Sequence, residues 1–174
     1  MKIRLLFHAG TAACLLALTQ NATAATAPRV RAADFSGLHQ PLPLPYDETA
    51  NASRQVAAGK MQAEAEGKQL LIDFGGNWCP DCRVLAGVMA LPEVHAFVSQ
   101  HYVVVTVDIG RMDKNLQIAR HYGISQLAGV PAILVVNPRK DKLLNQGHLF
   151  ALADARHMTP QALADWLAQW GMTM

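Results

Sequence analysis

The feature that most constrains this chain is a pair of cysteines, Cys79 and Cys82. They follow an apolar run at 70–74 (Leu70, Leu71, Ile72, Asp73, Phe74) and open a segment with helical periodicity. The run suits a buried strand, so the pair falls at a strand-to-helix junction. Two cysteines separated by two residues there form a reversible disulfide. A helix starting at Cys79 points its free amides and the positive end of its dipole at that sulfur, which favours the thiolate. Cys82, one turn further in, sits behind it as a resolving thiol. Pro80 suits the first turn because its missing amide hydrogen has no helical partner there, and Val84, Leu85, Val88 and Met89 continue on one face. The same cysteine spacing also serves zinc sites.

Tetrahedral zinc needs about four donors, and the chain supplies no second cysteine pair and no histidines paired at metal spacing. His39, His95, His101, His121, His148 and His157 are scattered singly and read as surface or satisfied core residues. No metal is expected. The third cysteine, Cys14, lies in an N-terminal segment that reads as an export signal. Lys2 and Arg4 are basic, an apolar stretch runs from Leu5 to Leu18, and Ala22, Thr23 and Ala24 fit a small-residue cleavage site. Cleavage is placed after Ala24. A membrane anchor is the alternative, but the stretch is shorter than the roughly 20 residues a span needs and is interrupted by His8 and Gly10.

Removing residues 1–24 takes away two basic residues and no acids, leaving 13 of each sign. A neutral chain without a basic stripe argues against a nucleic-acid partner or an acidic membrane surface. It also leaves Cys79 and Cys82 as the only cysteines. An exported chain with one close pair is not a disulfide-stapled scaffold; it handles the thiols of other proteins.

With 174 residues, 51% of them apolar, one buried domain is expected. Residues 25–45 carry Pro28, Pro41, Pro43 and Pro45 and read as an extended arm, and the domain spans 46–174. Asp47 caps a helix running to about Glu66, which Gly67 ends. After the cysteine helix, Pro92 kinks or restarts it. The β-branched stretch 102–107 is a second strand, and Leu116, Ile118, Ala119 and Tyr122 form a helix ending at Gly123. Strands at 132–136 and around Leu143 and Leu144 flank a turn at 137–141. Thr159 caps a final helix that buries Leu163, Trp166, Leu167 and Trp170.

In three widely separated places the chain resembles the thioredoxin superfamily, over roughly residues 46–170. These are the motif Trp78, Cys79, Pro80, Asp81, Cys82; Asp73, six residues ahead of the first cysteine; and Gly129, Val130, Pro131 ahead of the third strand. The resemblance implies an α/β thioredoxin fold, a central mixed sheet of about four strands with helices on both faces. It implies that Pro131 has a cis peptide bond beside the cysteines and leaves the Val130 backbone to pair with an extended substrate. Trp78 looks like the family's exposed tryptophan, which covers the site and contacts substrates. Asp73 alone could be a strand-end residue in water; buried between Ile72 and Phe74, its pKa rises into the range for taking a proton from Cys82.

Departures from the family pattern refine the expectation. Common thioredoxins carry Gly and Pro between the cysteines, whereas Pro80 and Asp81 are similar to thioredoxin-related small proteins. The Asp81 charge opposes the helix dipole and raises the nucleophile's pKa, with Arg83 offsetting part of it. Gly75 and Gly76 replace a bulky aromatic and suggest a more open surface, and the connection 124–130 is long for the family. The expected activity is thiol-disulfide exchange on protein disulfides, as a reductase or isomerase, without metal, nucleotide or flavin. The alternatives are a non-catalytic binding module or holdase, or a dedicated reductant carrier for cytochrome or metal-site maturation. A periplasmic monomer recharged by a membrane thiol donor is the setting the resemblance implies.

Overall fold

The computed structural model describes residues 25–171. The export signal and Cys14 lie outside the described residues. The elements run α1 (Ala52–Glu66), β1 (Gln69–Gly75), α2 (Pro80–Met89), α3 (Pro92–His101), β2 (Tyr102–Asp108), α4 (Leu116–His121), β3 (Ala132–Asn137), β4 (Lys142–Leu143) and α5 (Pro160–Trp170). Short 3-10 turns lie at Phe35–Gly37 and Ala155–His157. The strands form one mixed sheet in the order β2-β1-β3-β4, with β1 parallel to β2 and antiparallel to β3.

Every residue of β1 is buried, as a strand covered on both faces and paired on both edges must be. The alternation of its side chains divides the core in two. Leu71, with Ile133 and Val135 of β3, packs under α2, α3 and α5. Leu70, Ile72 and Phe74, with Leu134 and Val136, pack under α1 and α4. Helices therefore cover both faces of a four-stranded sheet.

Several helix ends follow the local chemistry. Gly67 closes α1 at φ 67°, where a side chain would be strained. Thr159 caps α5, its hydroxyl accepting the Ala162 amide at 3.1 Å. Pro92 restarts the helix as α3, which leaves α2 at 87°. Along α5 Leu163, Trp166 and Leu167 are buried and Trp170 is half-buried.

One local expectation is corrected. Asn51, not Asp47, caps α1, accepting the Arg54 amide at 3.0 Å. Asp47 accepts the amide and hydroxyl of Thr49 at 2.9 and 2.7 Å, an Asx-type turn that reorients the chain before the helix begins. The fourth strand lies where expected, ending at Leu143 with the Leu144 amide still bonded to the Val135 carbonyl at 2.8 Å. Beyond it the buried Asn145 side chain takes over the pairing, accepting the Val135 amide at 2.9 Å and donating to the Ile133 carbonyl at 2.8 Å.

The segment before α1 is extended apart from one turn, yet it is bound along its length. Leu38 is buried, and Val30, Phe35 and Leu42 pack on the α2, α3 and α5 face. The Gln161 side chain accepts the Val30 amide at 2.8 Å and donates to the Pro28 carbonyl at 3.0 Å. Gly87 admits this strap: a Cβ there would stand 3.0 to 3.1 Å from the side chains of Leu42 and Leu38.

Candidate functional site

Past the end of β1 the chain turns through Gly76 and Asn77, and the Cys79 amide closes the turn on the Gly76 carbonyl at 3.0 Å. Cys79 is the N-cap of α2. Its sulfur accepts the Cys82 amide at 3.3 Å, one of the free donors of the first turn. The thiol also reaches the Val130 carbonyl, at 3.7 Å. The pair is in the dithiol form and buried, with Cys79 3% exposed and Cys82 fully enclosed.

The surroundings drive the two thiols apart. Hydrogen bonding from the Cys82 side chain, helped by the Cys82 and Asp81 amides, holds Cys79 down at about 7 against burial and the Asp81 charge. Cys82 is pushed well above the ordinary thiol range, first by its hydrogen bond to Cys79, then by burial and by the charges of Asp73 and Cys79. One sulfur is poised as a thiolate, while the other keeps its proton.

Asp73 is 2% exposed on the floor of the site, and burial raises its carboxyl to about 7. The Tyr46 hydroxyl donates to Asp73 Oδ1 at 2.9 Å and works in the opposite direction. Tyr46 also joins Cys79, Cys82 and Val130 in a small cluster. Its backbone is clasped by Asn77, whose side chain accepts the Tyr46 amide at 3.1 Å and donates to its carbonyl at 2.8 Å. Sequence reading took Tyr46 only as the start of the domain. No local pattern marks a tyrosine 27 residues from its partner.

Two electrostatic and steric expectations change. Arg83 does not face Asp81; its guanidinium donates to the Leu42 and Pro43 carbonyls of the strap. The cation on Asp81 is Arg156, whose amide donates at 2.9 Å and whose Nε donates to both carboxylate oxygens at 3.1 Å. Nor is the surface at Gly75 and Gly76 open. A Cβ on Gly75 would strike the Tyr46 hydroxyl and the Cys82 sulfur, and one on Gly76 would strike the Trp78 indole. These glycines allow close packing rather than leaving a gap.

Trp78 is 40% exposed, and its indole N–H donates to the Gly110 carbonyl at 2.6 Å. The Arg111 guanidinium lies 4.9 Å above its ring, within cation–π range. Pro80 occupies the first position of α2. Pro131 is buried, and the Val130–Pro131 peptide bond is cis. The long 124–130 connection is anchored by buried Leu127 in the core under α1 and α4. Among the described residues no cluster of three or more His, Cys, Asp or Glu could hold a metal ion.

Two thiols of divergent acidity, a buried acid near neutrality and an exposed indole beside them make a site suited to sulfur exchange. A family model described as thioredoxin-like matches residues 50–138. The crystal structure of a disulphide isomerase from Xylella fastidiosa Temecula1 is 37% identical, covers 73% of this chain and 96% of its own, and superposes with a TM-score of 0.68. The C-terminal domain of Neisseria meningitidis DsbD in the oxidised form is 20% identical, with 55% and 83% coverage and a TM-score of 0.40. No curated protein matches the chain.

Proposed function

This chain belongs to the thioredoxin-like family, and from that premise we propose that it is a thiol-disulfide oxidoreductase acting on protein disulfides through Cys79 and Cys82. The observation that carries the reading is the split between the two sulfurs, Cys79 lowered to about 7 at the head of α2 and Cys82 held protonated behind it.

The Cys79 thiolate attacks one sulfur of a substrate disulfide. That S–S bond breaks, a mixed disulfide forms, and the other substrate sulfur leaves as a thiolate that takes a proton. Cys82 gives its proton to Asp73 and displaces the second substrate sulfur. The substrate gains two electrons, and Cys79 and Cys82 become joined as a disulfide. Trp78 covers the approach, and the backbone at Val130 and Pro131 lies where an extended substrate would pair beside Cys79. Pro80 and Asp81 shape the first turn that presents the thiolate.

A thiol near 7 leaves the reduced form without the strong thiolate stabilisation that drives potent oxidants. The direction proposed is therefore reduction or isomerisation, and the 37% identical relative described as a disulphide isomerase supports the second. Export to a periplasm, with a membrane thiol donor to restore the dithiol, is the setting that fits the N-terminal sequence. The test is insulin reduction. Cys79→Ser should abolish turnover, and Cys82→Ser should accumulate mixed disulfides identifiable by mass spectrometry. Client binding with no turnover by the native pair, and no trapped partner, would overturn the proposal.

A further inference from the structure

We propose that Arg156 is a positioning residue for the exchange reaction: it holds and neutralises the Asp81 carboxylate beside Cys79 and so sets how much of that sulfur is thiolate. This rests on Cys79 being the nucleophile. Asp81 sits in the first turn of α2, between the two cysteines, with its carboxylate 9% exposed and engaged by three contacts from Arg156. Arg156 arrives from the 3-10 turn Ala155–His157, 75 residues along the chain. The bond from its amide fixes the turn on the helix, and the Nε bonds place positive charge against a carboxylate that would otherwise face the thiolate alone.

The neighbouring charges leave this pair distinct. On α2, Arg83 is turned to the strap carbonyls. From β1, Asp73 is in contact with Tyr46. On the 3-10 turn, His157 pairs with exposed Asp154. The Asp81 charge opposes Cys79 ionisation, so a cation bound to it eases formation of the thiolate. The Asp81 carboxylate is enclosed while the Arg156 side chain is half exposed, so salt screens the pair only in part.

The experiment measures the rate of iodoacetamide alkylation of Cys79 against pH in the full chain, with the modified residue located by peptide mass mapping. Arg156→Gln should raise the midpoint by about half a unit or more, slowing alkylation at pH 7 roughly two-fold. Arg156→Lys should keep a midpoint close to the native one, and Asp81→Asn should lower it. In Asp81→Asn, where the half-exposed Arg156 side chain loses the carboxylate that holds it, the further change Arg156→Gln should raise the midpoint less than it does in the native chain. A native midpoint in Arg156→Gln, or an equal rise in the Asp81→Asn background, overturns the proposal while leaving Cys79 as the nucleophile. A Cys79 that no variant alkylates at the rate of a thiolate overturns both. If Arg156→Gln does not fold, Arg156→Met takes its place in the same comparison, with the same expected rise and the same overturning result.

Discussion

Asp73 has an ordinary carboxyl value of 3.8 when unfolded and about 7 in the fold, because burial penalises its charge. The folded value is the higher one. The favourable contribution of the neutral acid is therefore complete below about pH 4 and is lost as pH rises to about 7. Asp73→Asn should be more stable than the native chain at pH 8, by up to about 4 kcal/mol for a gap of roughly three pKa units. At pH 4 the advantage should vanish. Urea midpoints at the two pH values check this, and an equal gain at both would show that charge is not the cause. In the proposed mechanism Asp73 takes the Cys82 proton, so the same substitution should slow resolution of the mixed disulfide in single-turnover experiments while sparing the first attack.

Among the elements, what was legible in the sequence was local. Pro80, Gly67 and Thr159 mark helix ends by chemistry that acts within one turn, and the runs at 70–74, 102–107 and 132–136 are apolar enough to declare themselves strands. The start of α1 was not legible, because Asp47 and Asn51 are both good caps. The choice between them follows from Asn77 clasping Tyr46, which requires a turn at Asp47 before the helix. Tyr46 and Arg156 were missed as site residues for the same reason: each reaches its partner across the chain, and no spacing rule records that. The strap is the clearest case, read as an extended arm from its prolines but with no sign of where it binds. Leu38→Ala should cost about 2–4 kcal/mol, since Leu38 is 4% exposed and seated on α2. A denaturant titration reads that loss. A cost below 1 kcal/mol, on the same principle, would mean the strap collapses onto the gap or contributes little.

In the whole molecule, the order β2-β1-β3-β4 puts the longest pairings at the centre, where β1 is bonded on both sides and both helical layers close over it. Nothing in the strand sequences states that order, and the resemblance gave only a mixed sheet of about four strands; the order itself is read from the structure. Amide hydrogen exchange should therefore be slowest at 70–74 and 133–136, approaching the global unfolding limit, and much faster at Lys142 and Leu143. Uniform protection across the four strands would contradict this picture. The sheet ends in two edges, and their treatment differs. β4 is two residues long, too short to recruit a neighbour. β2 is full length, but the strap meets it at Pro45, whose carbonyl accepts the Thr106 hydroxyl at 2.9 Å. Prolines carry no amide hydrogen to extend a ladder and deny that edge to another chain. The segment that steadies the cysteine helix thus also serves colloidal solubility, keeping one copy of the sheet from templating the next.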